Sequence, residues 1–409
     1  MSRDAPSYDV LIAGGGPGGT TAAALLADAG HSVLLLERDH FPRFHIGESL
    51  LPAELPLFEK LGFDPKAVGA VYKQGADFID EEKGQFARFP FAEGMEGTRG
   101  HAWQVERASF DHQLMHIARA KGADCREGVK VDSVEADDDG VTVHAGDATF
   151  RARFFIDATG RDRLMCKQER SYERIDGFGL AAIWARFENL SPEAIAEVTE
   201  TGNVTVIMVP KGWGWAIPLP GGKLGTGFVS AEKGVVSEEW FEERYAASPF
   251  LQRVTKGATR APFGKAGDYS YKNARPHGAR WGCIGDAAGF LDPVFSSGVA
   301  LAMGGAEKCV SLLSPALRDG READPELLEP LQAHMAKAYT IFSAVIRSFY
   351  HTNMVDNLFF YDDPDPALRA GLISVLAGDL WRDDNPFVKL LLRSSRRTRG
   401  RRDATAAAS

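Results

Sequence analysis

Short apolar runs, separated by glycine turns and a helical segment, dominate the first forty residues. The run 8–13 (YDVLIA) is apolar and β-branched, which predicts a buried strand. A glycine-rich turn at 14–19 follows, and the Ala- and Leu-rich segment 20–29 predicts a helix ending at Gly30. The run 31–37 (HSVLLLE) predicts a second buried strand. This order of strand, turn, helix and strand is that of a parallel βαβ unit.

Comparable patterns further along predict a nucleotide-binding unit that β-rich insertions interrupt. Alternating aromatic and polar positions predict strands within 76–104, and a helical period follows over 107–121. The pattern is mostly β from 175 to 270, a helix is predicted from about Ser297, and 324–392 is predicted to be helical. Further short strands are predicted at 129–134, 141–145, 154–157 and 281–284.

The predicted fold class is α/β. It combines a Rossmann-type dinucleotide-binding domain with a β-sheet substrate layer and a helical C-terminal extension. The insertions are expected to form a wall over the cofactor. The predicted boundaries are 1–75, 101–175 and 271–323 for the discontinuous nucleotide domain, 76–100 and 176–270 for the substrate layer, 324–392 for the helical region and 393–409 for a disordered tail.

Composition and charge exclude several classes of protein. The 409 residues carry a formal net charge of -9, which argues against nucleic-acid binding. The four cysteines lack C-x-x-C spacing, so neither a metal framework nor a disulfide scaffold is predicted, as in a reducing cytosol. We find no apolar signal segment and no apolar run of about 18 residues. We therefore expect a cytoplasmic protein without a bound metal, nucleic acid or membrane.

The glycine turn has the spacing of a dinucleotide-binding motif, Gly14-x-Gly16-x-x-Gly19. The first glycine makes the tight turn, the second lets the backbone approach a diphosphate, and the third lets helix and strand pack closely. The helix N-terminus offers free N–H groups to the phosphates. Glu37 stands where an acid binds ribose hydroxyls, about 20 residues on. The other contacts predicted in this unit are Pro17, Gly18 and Arg38.

Three later segments favour FAD over NAD through their resemblance to a known fold. They are 157–160 (DATG), 285–289 (GDAAG) and 107–114, with the pattern Arg-x-x-Phe-Asp-x-x-Leu. The chain resembles the glutathione-reductase-type FAD fold, in the branch of p-hydroxybenzoate hydroxylase, geranylgeranyl reductase and the flavin-dependent halogenases. The resemblance implies that the nucleotide domain is an FAD-binding domain.

The same resemblance implies roles for three residues. Asp286 would hold the ribitol hydroxyls, Arg107 would lie along the diphosphate or ribitol, and the backbone of Val129 would face adenine. By residue type alone, Asp286 is equally a helix N-cap and Arg107 equally a member of a surface ion pair. The motif context favours the cofactor roles.

Four segments make the resemblance specific to the flavin-dependent halogenases. The first, 213–218 (WGWAIP), matches the W-x-W-x-I-P motif of that family, although geranylgeranyl reductases carry a similar motif ending in Phe-Pro. Strand alternation puts Trp213 and Trp215 on one face. The resemblance implies that both keep the organic substrate away from the flavin. Two tryptophans in a sheet are otherwise ordinary core residues.

The second segment, 72–78 (YKQGADF), resembles the one that carries the halogenase lysine, here Lys73. Hypohalous acid formed at the flavin is an electrophile that must be handed to the substrate. An ammonium can hydrogen-bond it, and a neutral amine can form a haloamine. Enclosure lowers the pKa of a lysine, which favours the second route. Outside this context a lysine is usually a solvated surface residue.

The third segment, 292–298 (DPVFSSG), lies just before a predicted helix. The backbone amides of Ser297 and Gly298 are predicted to bind halide beside FAD, because a helix N-terminus favours an anion. The alternative is an ordinary capping serine, which is compatible with this role. The fourth segment, 41–52 (FPRFHIGESLLP), resembles the loop that follows the flavin in phenol- and pyrrole-type halogenases. The residues that this loop is expected to place near FAD are Arg43 and Ser49.

One position departs from the tryptophan halogenases, which have a glutamate where this chain has Phe295. That acid is thought to orient the lysine or to stabilise the arenium intermediate, and a phenyl ring does neither. A phenol needs less help, because its own oxygen loses a proton and carries the charge. We therefore expect a phenolic or pyrrolic substrate, either free or tethered to a carrier protein. Aromatic residues that either line its pocket or pack a domain interface are Phe349, Tyr350, Phe359, Phe360 and Tyr361.

The resemblance as a whole implies an FADH2-dependent halogenase of secondary metabolism. Such an enzyme oxidises chloride or bromide with O2 through a flavin C4a-hydroperoxide. A separate NAD(P)H flavin reductase is the expected partner, because no second glycine-rich nucleotide motif is visible. The alternatives are an aromatic monooxygenase or a geranylgeranyl-reductase-like enzyme of the same fold, and a flavin-binding protein without activity. Lys73 and the 213–218 motif favour the halogenase.

Overall fold

A computed structural model describes residues 8–267, 269–351, 355–361 and 363–394. The predicted disordered tail lies outside these ranges beyond position 394. Within them the α-helices are α1 Pro17–Asp28, α2 Leu55–Leu61, α3 Arg107–Ala120, α4 Leu164–Gln168, α5 Pro192–Thr199, α6 Glu238–Ala246, α7 Pro249–Val254, α8 Gly298–Asp319, α9 Glu329–His351 and α10 Pro366–Leu376, with a further helical segment at 386–394. The strands are β1 Tyr8–Ala13, β2 Val33–Leu36, β3 Val71–Lys73, β4 Gly75–Asp80, β5 Gln85–Pro90, β6 Ala102–Gln104, β7 Asp124–Arg126, β8 Ser133–Ala136, β9 Val141–Ala145, β10 Ala148–Asp157, β11 Tyr172–Arg174, β12 Ala181–Glu188, β13 Val204–Val209, β14 Gly212–Leu219, β15 Lys223–Ser230, β16 Thr259–Arg260, β17 Gly264–Gly267, β18 Tyr271–Asn273, β19 His277–Gly278, β20 Trp281–Cys283 and β21 Gly289–Phe290.

The glycine turn lies at the carboxyl ends of the parallel central strands of an eight-stranded sheet. β1 lies between β10 and β2 and runs parallel to both, and β20 and β7 extend the sheet on either side. Val10 and Ile12 join the core that contains α1, whereas Leu11 and Ala13 join a second core with β8 and β9. Burial on both faces explains the apolar run 10–13 of β1. The predicted βαβ unit and the α/β class are confirmed.

A second large sheet has the order β16-β12-β15-β14-β13-β4-β5. Alternation along β14 sends Trp213, Trp215 and Ile217 into the main core, whereas Ala216 joins the core under α6 and α7. The sheet therefore has one face toward the nucleotide domain and one toward its own outer helices. This arrangement places the predicted tryptophan pair on the inner face.

One predicted strand is wrong, and three helices were not predicted. The strand predicted at 129–134 begins only at Ser133, because the amide of Val129 donates to the Glu37 carbonyl at 2.8 Å and lies against the end of β2. The stretch from 175 to 270 contains three helices, α5, α6 and α7, besides its strands. Each of these helices begins after a serine whose hydroxyl accepts a hydrogen bond from a backbone amide of the first turn. These N-caps were the sequence signal for the helices.

Candidate active site

A cavity of about 880 Å³ is lined by residues of both large sheets and of the loops at their edges. The carboxyl ends of β1, β2 and β10 meet at this edge, where doubly wound proteins bind nucleotides. Among the predicted site residues, Gly19 and Lys73 are not part of the lining. The predicted residues that line the cavity are Gly14, Gly16, Pro17, Gly18, Glu37, Arg38, Arg43, Ser49, Arg107, Val129, Trp213, Trp215, Asp286, Ser297 and Gly298.

The glycine turn leaves the room that a dinucleotide diphosphate requires. A Cβ atom placed on Gly16 meets no atom within 4 Å, so this glycine faces open cavity. A Cβ atom on Gly19 would lie 1.9 Å from the carbonyl oxygen of Gly14, as expected of a glycine that packs helix against strand. Glu37 Oε2 accepts a hydrogen bond from the Gly15 amide at 2.6 Å. The turn and its acid therefore fit the diphosphate and ribose of FAD.

Asp286 lines the cavity directly after β20. It lies inside the 3-10 helix Gly285–Ala287 and does not cap α8, whose N-cap residue is Ser297. Burial raises the pKa of Asp286 to about 6, although Arg107 and Arg161 oppose this rise. The position fits a hydrogen bond to ribitol hydroxyls, and the alternative of a helix cap is excluded.

Arg107 forms a buried ion pair and not a surface one. Arg107 is 5% exposed, and its guanidinium donates to both carboxylate oxygens of Asp111, at 2.7 and 3.0 Å. It also donates to the carbonyl oxygens of Ile46 and Gly47, at 3.0 and 3.2 Å. Arg43 donates to the same Asp111 at 3.0 Å. Through these contacts Arg107 and Arg43 hold the loop 41–52 along the cavity.

The turn 292–298 brings the N-terminus of α8 to the cavity wall. Ser296 has a φ of 56°, and this left-handed residue redirects the chain between the 3-10 helix Pro293–Phe295 and α8. In the described part of the chain, the amides of Ser297 and Gly298 donate no hydrogen bond to a protein acceptor. Unpaired amides at the start of a long helix favour an anion. The arrangement fits the predicted halide site.

The two tryptophans of β14 form part of the cavity wall. Their ring centroids are 5.6 Å apart, and the rings are tilted by 46°. Trp215 is paired across the sheet with Gly227, where a Cβ atom would lie 2.5 Å from the indole ring. Gly227 therefore makes room for the indole. A third indole, Trp184 of β12, lines the same cavity and was not singled out from the sequence.

Lys73 differs from the expected arrangement because it lies behind the cavity wall. Its side chain is 1% exposed at the end of β3. The ammonium or amine Nζ donates to the Leu50 carbonyl at 2.7 Å and to the Ser49 hydroxyl at 2.9 Å. Since Ser49 lines the cavity, Lys73 is one hydrogen bond away from it. Burial lowers the pKa of Lys73 to about 7.

A second buried group near Lys73 is Glu54, an acid that the sequence analysis did not single out. It is 0% exposed, and its Oε2 accepts from the Leu51 amide at 2.6 Å, while Oε1 has no hydrogen-bond partner among the described residues. Burial raises the pKa of Glu54 to about 8. Near neutral pH the site therefore favours a free amine at Lys73 and a protonated carboxyl at Glu54. The acid belongs to the same ESLLPAE run as Ser49, which was the available signal.

Glu54→Gln is expected to remove a pH dependence of stability. The raised pKa means that the folded state binds more protons than the unfolded state between about pH 4.5 and 8, so the free energy of unfolding falls as pH rises through this window. Glutamine imitates the protonated acid. The variant should match the wild type at pH 5 and exceed it by about 2 kcal/mol or more at pH 8 in urea unfolding. An identical difference at both pH values would contradict the assignment.

Further cavity residues escaped the motif analysis. Glu48 is 2% exposed and forms a short ion pair with Arg186, and burial raises its pKa to about 7. The hydroxyl of Tyr269, at 3% exposure, has no hydrogen-bond partner among the described residues. Glu48 belongs to the loop 41–52, but nothing local distinguished it from a solvated acid. Tyr269 belongs to no motif, and only the tertiary fold brings it to the cavity.

The described residues provide two negative findings. They contain no group of three or more His, Cys, Asp or Glu side chains arranged to hold a metal ion. None of their helices combines the length and the apolar character needed to cross a membrane.

Comparisons with known proteins show what the whole chain is similar to. The tryptophan halogenase family model matches residues 9–101 and 92–370. Tryptophan 2-halogenase from Chondromyces crocatus is 31% identical over 377 residues, which covers 87% of this chain and 70% of that protein. The 1H-pyrrole-2-carbonyl-[peptidyl-carrier protein] chlorinase from Pseudomonas fluorescens is 29% identical over 421 residues, with 91% and 90% covered. The solved structure of the myxobacterial chondrochloren halogenase CndH, a variant of FAD-dependent halogenases, has a TM-score of 0.73 at 30% identity and covers 93% of this chain and 92% of its own.

Proposed function

The chain belongs to the flavin-dependent halogenases, FAD-dependent enzymes that act with halide and O2, and from this premise we propose that it halogenates an electron-rich phenolic or pyrrolic ring. The observation that carries the choice of substrate is Phe295. This residue is 4% exposed and packs edge-on against Phe349, with ring centroids 5.8 Å apart. Two apolar rings offer no carboxylate to stabilise the positive charge of an arenium intermediate. This supports a phenolic or pyrrolic substrate, whose own heteroatom stabilises that charge.

The proposed roles of the residues follow from the site. FAD, when bound and reduced, supplies with O2 the two-electron oxidation of halide to hypohalous acid, with water as the second oxygen product. Ser297 and Gly298 hold the halide at the N-terminus of α8 with their backbone amides. Trp213 and Trp215 exclude the organic substrate and bulk water from this end of the cavity. Lys73 then presents the electrophile to the ring. The attacked carbon takes the halogen and loses a proton, which leaves with the hydroxide of the hypohalous acid as water.

The Ser49 hydroxyl is the proposed link between the cavity and Lys73. It accepts from Lys73 Nζ at 2.9 Å and lies at the cavity surface. Lys73 is fully buried, so its amine can meet an electrophile in the cavity only at the position of the Ser49 hydroxyl. The electrophile either displaces this hydroxyl or reaches the amine after the Ser49 side chain rotates. Glu54 stays protonated near neutral pH and leaves the amine free of a buried ion pair.

The proposed partners follow from the chemistry and from one relative. That relative is named for a pyrrole held on a peptidyl-carrier protein, so a carrier-tethered ring is one form of the proposed substrate. We also propose a separate NAD(P)H flavin reductase as the source of reduced FAD. Chloride and bromide are both proposed as halides.

The test is a product assay on the purified full chain. The protein is supplied with FAD, a flavin reductase, NADH, O2 and bromide, and products are read by mass spectrometry. The substrates are a phenol panel, pyrrole-2-carboxylate free and loaded on a carrier protein, and free tryptophan. A brominated phenol or pyrrole is the expected result. Bromination of tryptophan alone would overturn the proposed substrate class, and hydroxylated products without bromine would overturn the proposed function in favour of a monooxygenase.

A further inference from the structure

The carboxylate of Asp292 joins three distant parts of the chain. It is 1% exposed, and its Oδ1 accepts from the Val294 amide at 3.0 Å. Its Oδ2 accepts from the Gly179 amide at 2.9 Å and from the Tyr350 hydroxyl at 3.1 Å. Val294 belongs to the turn before α8, Gly179 to the loop before β12, and Tyr350 to the last turn of α9. None of these contacts is local in sequence except the first.

The Tyr350 hydroxyl also accepts from the indole N–H of Trp213, at 2.8 Å. A hydroxyl donates one hydrogen bond and accepts others, so Tyr350 bridges the N–H donor of Trp213 and the carboxylate acceptor of Asp292. Trp213 lines the cavity and is 3% exposed. Tyr350 is not among the residues that line the cavity, so the indole N–H of Trp213 bonds a group outside that lining.

The packing around this bridge is close. A Cβ atom on Gly179 would lie 2.7 Å from the Tyr350 hydroxyl and 2.9 Å from Asp292 Oδ2. The end of α9 makes two further contacts with the same loop: His351 Nε2 lies 2.9 Å from the Gly177 carbonyl, and the Arg347 guanidinium stacks over Phe178 at 4.9 Å. The last turn of α9 is therefore fixed to the loop that precedes β12.

We propose that Tyr350 is a positioning residue that fixes the Trp213 indole and the 292–298 turn relative to each other. Its effect on the reaction rests on the proposed halogenase function. One hydroxyl connects the wall that confines the oxidant with the turn that presents the amides of Ser297 and Gly298. If this bridge is lost, the indole N–H loses its partner in a buried place and the ring turns to find another. The oxidant then escapes before it reaches the substrate.

Tyr350→Phe tests the bridge without removing the ring. The expected result is a fall of about tenfold in halogenated product per FADH2 oxidised, with the rate of FADH2 oxidation unchanged and the missing oxidant recovered by a bulk scavenger. Trp213→Phe should lower the same ratio, and the double variant should add little to either single change, because both remove one interaction. Tyr245→Phe is the matched control, since its hydroxyl bonds Thr255 at 2.6 Å under the outer helices.

A second measurement uses the protein without cofactor. In protein labelled with ¹⁵N-tryptophan, the Trp213 indole N–H, assigned by its absence in Trp213→Phe, should exchange with solvent about tenfold faster in Tyr350→Phe. If the wild type halogenates, and Tyr350→Phe shows the same indole exchange and the same product yield as the wild type, the inference is overturned. A wild type that yields no halogenated product would overturn the proposed function instead, and the exchange measurement would still decide whether the bridge exists.

Discussion

Lys73→Ala is expected to lower the yield of halogenated product by about 100- to 10,000-fold while FADH2 is still oxidised by O2. Lys73 is buried beside the cavity residue Ser49, where it is the proposed donor of the electrophile. Because burial lowers its pKa to about 7, a free amine exists near neutral pH without a strong base. Alanine offers neither an ammonium that hydrogen-bonds hypohalous acid nor an amine that forms a haloamine. The measurement is product per FADH2 oxidised.

Two companion variants separate the loss of the amine from the loss of structure. Lys73→Met keeps most of the apolar volume and removes a buried cation, so it should fold and bind FAD yet remain as inactive as the alanine variant. Lys60→Met removes a lysine that pairs with Glu307 at 54% exposure and should leave the yield unchanged. Wild-type yield from a folded Lys73→Met protein would mean that another group delivers the halogen.

The parts of the site that local chain geometry determines were predictable from the sequence. The strand, glycine turn and helix of 8–29 follow from an apolar run and from glycines at positions where a side chain would not fit. The shared face of Trp213 and Trp215 follows from the two-residue period of a strand. The start of α8 at Gly298 follows the turn residues that precede it. Each of these depends on neighbours within a few positions.

The remaining features depend on contacts between segments that are far apart in the chain. Lys73 was expected at the cavity, yet it lies behind Ser49, which is 24 positions away. Tyr350 was one of several aromatic residues that either lined a pocket or packed an interface. Its hydroxyl bonds Trp213, which is 137 positions away, and that choice is made by the tertiary fold alone. Similarly, Glu54 shares the 48–54 run with Ser49, but this nearness in sequence does not show that its carboxyl is buried.

Gly19→Ala is expected to lower the free energy of unfolding by about 3 kcal/mol, whereas Gly16→Ala should leave it unchanged. The added methyl group of Ala at position 19 would lie 1.9 Å from the backbone oxygen of Gly14, and backbone cannot turn aside as a flexible side chain does. At position 16 the methyl group meets nothing within 4 Å, and the φ and ψ of -72° and 179° suit alanine. Urea unfolding of the FAD-free proteins measures the difference.

The same pair of variants tests the cofactor site, because Gly16→Ala should fold normally and yet bind FAD at least about tenfold more weakly. In the proposed diphosphate site at the N-terminus of α1, its methyl group would fill space that the diphosphate needs, so it should cost binding energy and no folding energy. Fluorescence titration of the FAD-free protein gives the dissociation constant. Wild-type affinity in Gly16→Ala would place the diphosphate elsewhere. A stable Gly19→Ala protein would mean that α1 and β1 pack less closely than the 1.9 Å approach requires.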